Sequence, residues 1–354
     1  MRLFNVDLHI SVIADLKRIF SAFGHTIDDK CLSGHADIVG RKQDYIEELS
    51  RDKWTWLIYN WEFEKFYKNH KSTLDRYDGF VVTYPPVFSM LYEKTGKPII
   101  VQIPIRYDHG MHGRPDLMEK YRLAMGSRNC FFSANNLLDK KYFEMFTGIQ
   151  CRHIPSFCDY TGMKYRNGEG PALVYSPEEK TAAAIGGAWR PNLKRGYRWK
   201  ELERFRAAVH FPYQISTMSI FEHYTANIPM LFPSKKFLKE MYFGGWPGIL
   251  HQVSNFLLHG NKPGSLAHFT GNIDPNDYRN HGTVDWWIDN ADFYDESWMP
   301  GILYFDTIDE AKNILDDLPK LRETSSRMEK FNVMRKERIH AGWKEVFDGI
   351  QIKG

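Results

Sequence analysis

The sequence predicts an α/β protein with two doubly wound domains, and three observations lead to this prediction. Short apolar runs alternate with helical periods through the first half of the chain, a pattern typical of strand–helix–strand units around a parallel sheet. The run at residues 99–103 is apolar at nearly every position, as expected of a strand covered on both faces. A second alternation begins at Leu173, and 354 residues are enough for two domains of roughly 150 to 200 residues each.

The elements of the first half follow from the period of the apolar residues. Continuous or alternating apolar runs predict strands, and apolar residues at every third or fourth position predict helices. Strands are predicted at residues 3–10, 26–32, 54–59, 79–83, 99–103, 130–133 and 151–155. Helices are predicted at residues 12–23, within 61–78, and at 86–96, 117–125 and 137–146. These elements define a first domain over residues 1–160.

A polar stretch with glycines and no periodicity, residues 160–171, is the expected linker. Beyond it, strands are predicted at residues 173–175, 182–185, 207–211, 230–232 and 303–305, and helices at 199–206, 220–226 and 307–315. The last of these helices opens with a capping box, Thr307 with Glu310. Residues 244–300 give no assignment. We therefore expect a second domain over residues 171–325 and a closing helix over 326–354.

Composition excludes several classes of protein. The 47 basic and 44 acidic residues leave a net charge of +3, which does not support a dedicated nucleic-acid binder but leaves a local basic patch open. Aromatic residues make up 15% and suit either a large core or a groove for sugar rings. Four cysteines without metal-type spacing predict reduced thiols. We find no signal-peptide pattern and no long apolar run, so a cytoplasmic protein without a membrane span is expected.

The strongest candidate site lies at residues 181–196, TAAAIGGAWRPNLKRG. The sequence predicts a short strand that ends at Gly186 and Gly187, followed by a loop with basic residues and a helix. Glycines allow a close approach of backbone to phosphate, and basic side chains and a helix N-terminus bind it. The basic residues of this loop are Arg190, Lys194 and Arg195. The alternative is a solvated turn with incidental charges.

A second candidate site lies at the start of the helix predicted near residue 220. Ser216, Ser219 and Glu222 follow one another at intervals of three residues. Serine hydroxyls at a helix start can face phosphate, and a carboxylate on the same face can accept both hydroxyls of a ribose. The alternative is a capping serine with a solvent-facing glutamate.

A third candidate site follows the buried strand at residues 99–103. Ligands of open α/β sheets bind beyond the carboxyl ends of the strands, and Asp108, His109 and His112 lie there. Asp108 or His109 could take the proton of an acceptor hydroxyl. Asp7 and His9 stand at the end of the first strand, the other position of this kind. An ordinary polar surface loop is the alternative for each of them.

Taken together, these segments resemble the GT-B type of glycosyltransferase, in which two Rossmann-like domains face each other across a cleft. The segment at residues 186–195 is similar to the diphosphate loop of bacteriophage DNA glucosyltransferases. Glu222 is similar to the ribose-binding glutamate of that family, and the loop at residues 107–109 corresponds to its aspartate-containing loop. The resemblance covers the architecture of nearly the whole chain, while the specific motifs cover about a fifth of it.

The resemblance implies a hexosyl- or pentosyltransferase that moves a sugar from a nucleotide-sugar donor to a hydroxyl acceptor, a glycan or another molecule. No metal and no cofactor are expected, because the basic residues of the loop would neutralise the leaving diphosphate. For an inverting reaction, Asp108 is the first candidate base and His109 the second. The alternatives are a nucleotide-sugar epimerase of the same fold and a non-enzymatic carbohydrate- or nucleotide-binding module. A nucleic-acid acceptor is not supported by the net charge.

Overall fold

Two separate parallel sheets organise the chain in the computed structural model. The structure describes residues 1–49, 60–111, 114–126, 129–190, 193, 198–251 and 273–353. Within this part of the chain, one unit comprises residues 1–156 together with the C-terminal end from Ile339. The other unit extends from Phe157 to Arg338. We call them unit 1 and unit 2 and describe each by itself.

Unit 1 contains six strands and four complete helices among the described residues. The strands are β1 (Arg2–Asp7), β2 (Thr26–Cys31), β3 (Gly79–Val82), β4 (Ile99–Ile103), β5 (Cys130–Ala134) and β6 (Arg152–His153). The helices are α1 (Ile10–Ser21), α2 (Asn60–Leu74), α3 (Pro115–Gly126) and α4 (Leu137–Thr147), with a 3₁₀ segment at Pro86–Thr95. Every residue of β3 and β4 is buried, because helices cover central strands of a parallel sheet on both faces.

The sheet of unit 1 is parallel and has the strand order β2-β1-β3-β4-β5-β6. From β1 the chain first adds β2 on one side and then returns to add β3 on the other. The order therefore reverses between β1 and β3. In open α/β sheets this reversal opens a crevice at the carboxyl ends of the two strands, where ligands bind.

Unit 2 contains five strands and five complete helices among the described residues. The strands are β7 (Leu173–Tyr175), β8 (Ala188–Trp189), β9 (Ala208–His210), β10 (Met230–Pro233) and β11 (Leu303–Phe305). The helices are α5 (Glu179–Ile185), α6 (Met218–Thr225), α7 (Lys235–Phe243), α8 (His281–Asp289) and α9 (Ile308–Asp316). Residues Trp199–Arg204 form a 3₁₀ segment.

The sheet of unit 2 has the order β11-β10-β9-β7-β8, and all its pairs are parallel. The chain adds β8 on one side of β7 and then returns to add β9 on the other, so the order reverses between β7 and β9. Both units thus wind their first three strands in the same way. The predicted fold class, α/β with two doubly wound Rossmann-like sheets, is confirmed.

The last helix, α10 (Leu318–Lys353), belongs to unit 2 up to Arg338 and to unit 1 from Ile339. It begins earlier than the closing helix predicted over residues 326–354. The stretch predicted as a linker, residues 160–171, lies in unit 2, where Met163 is buried against Leu173 and Phe205. The boundary between the units falls between Ser156 and Phe157.

Most of the helices and strands predicted from the sequence are present in the structure at nearly the same residues. Thr307 is the N-cap residue as predicted, because its side chain accepts a hydrogen bond from the backbone N–H of Glu310. The Glu310 carboxylate accepts a hydrogen bond from the N–H of Asp306, and not from that of Thr307 as in a full capping box. The predicted strand at residues 54–59 lies outside the described residues. Within the region left unassigned, residues 244–300, the structure places α8 and a 3₁₀ turn at Asp292–Tyr294.

Two predictions of local structure were wrong. Residues 182–185 belong to helix α5 and not to a strand, because three consecutive alanines have high helix propensity and the buried Ala182 and Ile185 share a helical face. The first strand ends at Asp7, and α1 begins at Ile10. His9 is therefore the N-cap residue of α1 and not part of β1.

Candidate functional site

The switch point of unit 2 lies where β7 and β9 end, and two aromatic residues occupy it. Tyr175 ends β7, His210 ends β9, and their rings stack at 4.6 Å with an interplanar angle of 7°. His210 stacks in the same way on Phe232 of β10, at 4.9 Å and 6°. Phe232 stacks in turn on Phe293 at 4.3 Å. Four rings therefore form a stack across the edge of the sheet that binds ligands in this fold class.

A second imidazole joins this stack through hydrogen bonds. His223 of α6 is fully buried, its Nε2 lies 3.0 Å from the Tyr175 hydroxyl, and its Nδ1 lies 3.3 Å from Nε2 of His210. Burial, together with the charge of Arg190, lowers the pKa of His223 to about 3. Burial and the neighbouring His223 also hold the pKa of His210 well below its ordinary value. Both imidazoles are therefore neutral at physiological pH.

Arg190 and Glu222 lie on the same side of unit 2. Arg190 follows β8 and is close enough to His223 and Tyr213 to affect the pKa of both. Glu222 lies in α6, is buried, and accepts a hydrogen bond from the hydroxyl of Tyr160. Tyr213, which is 39% exposed, has a pKa raised by burial, lowered by Arg190 and raised by Glu222. The pKa of Tyr213 therefore responds to both the Arg190 cation and the Glu222 anion.

Of the predicted serines, Ser216 lies in the loop from β9 to α6, and Ser219 lies in the first turn of α6. Thr217 is the N-cap residue of α6, and its Oγ1 lies 2.9 Å from Oγ of Ser219. Ser216 is only 7% exposed, and its Oγ has no hydrogen-bond partner among the described residues. A buried hydroxyl without a partner is costly and unusual. The first N–H groups of a helix also lack intrahelical partners, so this end of α6 is suited to an anion.

The Gly186–Gly187 pair does not have the context that a diphosphate loop predicts. Gly186 has φ of +75° and ends α5, where its N–H donates to Ala183, and a left-handed residue at a helix end is commonly glycine. A Cβ on Gly187 would lie 2.5 Å from Cγ2 of Val174. Both glycines are therefore explained by the end of α5 and by packing on β7. The strand expected before the glycines is therefore wrong, and most of the basic loop expected after them lies outside the described residues.

Asp7 stands at the switch point of unit 1 and joins its two strands. The Asp7 carboxylate accepts hydrogen bonds from the N–H and hydroxyl of Thr83, both at 2.7 Å, and from the N–H of Tyr84 at 3.0 Å. It also accepts from the N–H of His9 and from the amide of Asn5. Burial raises its pKa to about 6, against the effect of these hydrogen bonds. Asp7 therefore holds the end of β1 to the segment after β3.

The rings of His9, Tyr84 and His109 lie next to one another near Asp7. His9 is half-buried and meets the Tyr84 ring edge-on at 6.1 Å. The Tyr84 hydroxyl is hydrogen-bonded to Nδ1 of His109, and the two rings stack at 5.0 Å. Burial lowers the pKa of His9 to about 4. A neutral imidazole has a free lone pair and can take a proton.

Asp108, predicted as the first candidate base, has a different environment. Its side chain is 0% exposed and forms an ion pair with the buried Arg106, with Nη2 and Oδ2 2.8 Å apart. The Tyr142 hydroxyl donates to the same oxygen at 3.2 Å. Burial opposes the charge of Arg106, but Asp108 and Tyr142 raise the pKa of the Arg106 guanidinium above its ordinary value. A carboxylate enclosed in this way does not reach a substrate proton, so this geometry disagrees with the expected role of Asp108.

Three of the predicted site residues, His112, Lys194 and Arg195, lie outside the described residues. Conversely, the sequence analysis missed four residues that lie at the two switch points: Tyr84, Tyr175, His210 and His223. Tyr175 and His210 could have been found, because each is the last residue of a predicted strand or lies within one, at the edge where ligands bind.

No group of three or more His, Cys, Asp or Glu side chains in the described ranges is arranged to hold a metal ion. No helix within those ranges is both long and apolar enough to cross a membrane.

The chain is similar to several solved structures at low sequence identity. They include the spinosyn forosaminyltransferase SpnP, with 11% identity and a TM-score of 0.48 over 99% of each chain. The glycosyltransferase SnogD from Streptomyces nogalater has 10% identity and a TM-score of 0.48 over 99% of each chain. The calicheamicin glycosyltransferase CalG4 has 12% identity and a TM-score of 0.44 over 98% of each chain. No protein-family model and no curated protein matches the chain.

Proposed function

We propose that this protein is a glycosyltransferase that moves a sugar from a nucleotide-sugar to a hydroxyl acceptor. In this proposal, unit 2 binds the donor and unit 1 takes the proton of the acceptor. One observation carries it: the buried, unpaired Ser216 hydroxyl at the N-terminal end of α6. Phosphate oxygens accept hydrogen bonds from hydroxyls and from helix N–H groups. A bound diphosphate would supply the partner that the serine lacks.

The side chains around α6 suit the other parts of a nucleotide-sugar. Arg190, whose charge reaches His223 and Tyr213, would neutralise the leaving diphosphate. Glu222, oriented by the Tyr160 hydroxyl, would accept the ribose hydroxyls, and Ser219 would lie beside the phosphates. Lys194 and Arg195 would add charge to the same group. Basic residues in these roles would make a divalent metal unnecessary.

The acceptor proton has a candidate recipient in unit 1. His9 is half-buried, stands at the switch point and is neutral at physiological pH. In a displacement with inversion, the acceptor oxygen would attack the anomeric carbon as the bond to the diphosphate breaks, and the hydroxyl proton would pass to His9. His109 would orient Tyr84 beside it. This assignment replaces Asp108, which is enclosed by Arg106 and Tyr142.

A panel of nucleotide-sugars with different bases and sugars tests the proposal. Ligand present at 100 times its dissociation constant should stabilise the protein by about 2.7 kcal/mol, which a thermal-shift assay detects. The donor that shifts the Tm most is then incubated with hydroxyl acceptors, and the glycosylated product is identified by mass spectrometry. Conversion of the donor sugar without an acceptor would instead favour an epimerase. Binding without any turnover would favour a binding module.

Ser216→Ala sharpens this test. It removes a buried hydroxyl that has no partner among the described residues, so the ligand-free protein should be as stable as wild type or more stable. Donor affinity should nevertheless fall about tenfold, the scale of one hydrogen bond to a charged group. Ser326→Ala, on the exposed side of α10, is the matched control. Unchanged donor affinity in Ser216→Ala would remove the observation on which the proposal rests.

A further inference from the structure

A cavity of unit 2 lies outside the groups that the proposed function uses. It has a volume of about 490 Å³, within the roughly 300–1,000 Å³ typical of small-molecule sites. Its lining comes from the end of α7, from the segment that follows α7 and from residues 278–279 before α8. We call this cavity the aromatic pocket. The aromatic and charged side chains of its lining are Tyr242, Phe243, Trp246, His251, Tyr278 and Arg279.

Two backbone contacts place the aromatic pocket at the carboxyl end of the unit 2 sheet. In the segment after α7, the N–H of Leu250 donates to the carbonyl of Pro212 at 2.9 Å, just after β9 ends. Gly248 lies against Pro177, just after β7 ends, where a Cβ on the glycine would lie 2.3 Å from Cβ of Pro177. The segment is therefore fixed against the ends of β7 and β9, the edge at which ligands of doubly wound sheets bind.

Two aromatic rings of the pocket are exposed to solvent. Trp246 is 39% exposed and Phe243 is 37% exposed. His281 covers one face of Phe243, with nearly parallel rings at 3.8 Å, and Phe237 meets Trp246 edge-on at 6.0 Å. Exposed apolar surface that is grouped in one place commonly marks a binding site. The pocket therefore offers flat apolar surface to a ligand from one side.

An arginine stands beside these rings. Nε of Arg279 donates to the Tyr278 hydroxyl at 3.1 Å, and the guanidinium lies over the Tyr278 ring at 5.3 Å. Arg279 is exposed, and no carboxylate of the described residues forms an ion pair with it. Its other N–H groups can therefore donate hydrogen bonds to the oxygens of a ligand.

A sugar ring matches this combination better than a nucleobase or a purely apolar molecule. One face of a pyranose carries C–H groups that pack on an aromatic ring, and its hydroxyls need hydrogen-bond partners at the edge. A nucleobase gains most when rings cover both of its faces, but His281 already occupies the second face of Phe243. The lining also contains none of the side chains assigned to the donor, Arg190, Ser216, Ser219 and Glu222.

We propose that the aromatic pocket binds a pyranose ring of a glycan acceptor, with Trp246 as the surface on which this ring packs. The inference rests on the proposed function and names the class of its hydroxyl acceptor. The bound ring is a different one from the ring that receives the transferred sugar. Trp246 and Phe243 contact its apolar face, and Arg279 donates to its hydroxyls. These three residues bind the acceptor and take no part in the chemical step.

The first measurement is binding to an array of immobilised oligosaccharides that contain common hexoses, hexosamines and hexuronic acids. Wild type should bind at least one of them, and Trp246→Ala should bind it about tenfold more weakly. Trp246→Leu keeps an apolar side chain without a flat ring, so it should lose as much affinity, and it serves if Trp246→Ala does not fold. Tyr45→Ala, at a 70% exposed tyrosine of unit 1, is the matched control. Absence of any bound oligosaccharide, or wild-type binding by the Trp246 variants, would overturn the inference.

The second measurement decides whether the bound ring belongs to the acceptor or to the donor. Calorimetry gives the affinities for the nucleotide-sugar selected by the panel and for the corresponding nucleoside diphosphate. Trp246→Ala should bind both like wild type. A loss of affinity for the nucleoside diphosphate would assign the pocket to the donor base, and a loss for the nucleotide-sugar alone would assign it to the donor sugar. Either result would overturn the inference.

The third measurement is steady-state transfer to the oligosaccharide that binds best. In Trp246→Ala the KM for this acceptor should rise about tenfold with kcat unchanged, because the same contact is lost in the ground state and in the transition state. A fall in kcat with an unchanged KM would overturn the inference. If an oligosaccharide binds through Trp246 but no nucleotide-sugar binds, the proposed function fails, and the role of the glycan as acceptor fails with it. If sugar is transferred to another acceptor and no oligosaccharide binds, only this inference fails.

Discussion

The two switch points have the same strand order but different polar chemistry. In unit 1, the buried carboxylate of Asp7 joins the ends of β1 and β3 through backbone N–H groups, and His9 remains half-buried above it. In unit 2, no carboxylate joins β7 and β9 among the described contacts. Tyr175 and His210 stack there, and neutral His223 connects them.

The polar groups at the two edges have different charges and hydrogen-bond partners. A carboxylate that accepts five hydrogen bonds fixes the backbone and leaves the neighbouring imidazole lone pair for a proton, which suits proton transfer. The neutral rings of unit 2 carry no fixed charge and connect the strand ends by stacking and by hydrogen bonds between side chains. Five predictions test this comparison, beginning with the largest expected effect.

The first prediction concerns Asp108 of unit 1. Asp108→Asn leaves the buried Arg106 without its ionic partner, so the free energy of unfolding should fall by about 3 to 5 kcal/mol. Remaining activity should follow the folded fraction. Urea unfolding and turnover are measured on the same preparation. A turnover loss of a hundredfold with unchanged stability would restore Asp108 as the base and break the comparison.

The second prediction concerns the charge of Asp7. Its pKa rises from 3.8 to about 6 in the folded protein, so the protonated form stabilises the fold. That contribution is complete below pH 4 and is lost as the pH rises through 6, by about 3 kcal/mol for about two pKa units. Asp7→Asn has no such titration. The difference in unfolding free energy between wild type and Asp7→Asn should therefore change between pH 4 and 7, and parallel curves would contradict it.

The third prediction concerns His9. His9→Gln should lower kcat about a hundredfold, as expected for loss of a general base, and should leave donor affinity unchanged. His25→Gln is the control, because His25 lies before β2 and is hydrogen-bonded to the N-terminus. Steady-state kinetics with the donor found by the panel decide the outcome. If His9→Gln turned over the donor at the wild-type rate, His9 would not be the residue that accepts the proton.

The fourth prediction concerns Arg190 of unit 2. Arg190→Ala should weaken nucleoside diphosphate binding about tenfold or more, because a charge-assisted hydrogen bond is lost. The pKa of His223 should rise in the same variant, because the charge of Arg190 lowers it. Calorimetry and NMR titration measure the two effects, and Arg204→Ala is the exposed control. An unchanged affinity would separate Arg190 from the donor site.

The fifth and smallest effect is expected at Gly186. Gly186→Asn should cost less than about 1 kcal/mol of stability, because asparagine tolerates the left-handed conformation that glycine adopts at φ of +75°. Pyrophosphate affinity should not change. A clear loss of affinity without a loss of Tm would show that this backbone touches phosphate, contrary to its role at the end of α5.

Most strands, most helices and both doubly wound units could be predicted from the sequence, because apolar periodicity and capping residues act over short separations. The strand at residues 99–103 and the N-cap at Thr307 are examples. Strand β8 was not predicted. The helix at residues 179–185 was missed, since a short apolar run has no period that separates strand from helix.

Which polar residues are buried with a partner, and which are exposed to a ligand, depends on the tertiary structure and could not be predicted from the sequence. The sequence made Asp108 the first candidate base and ranked His9 behind it, but Asp108 is enclosed by Arg106 and by Tyr142 from α4. His210 and His223 stand apart in the chain and meet because β9 and α6 bring them together. Burial, and the partner found across the fold, fix the charge of a group. Neither is a property of the residues that flank it in the sequence.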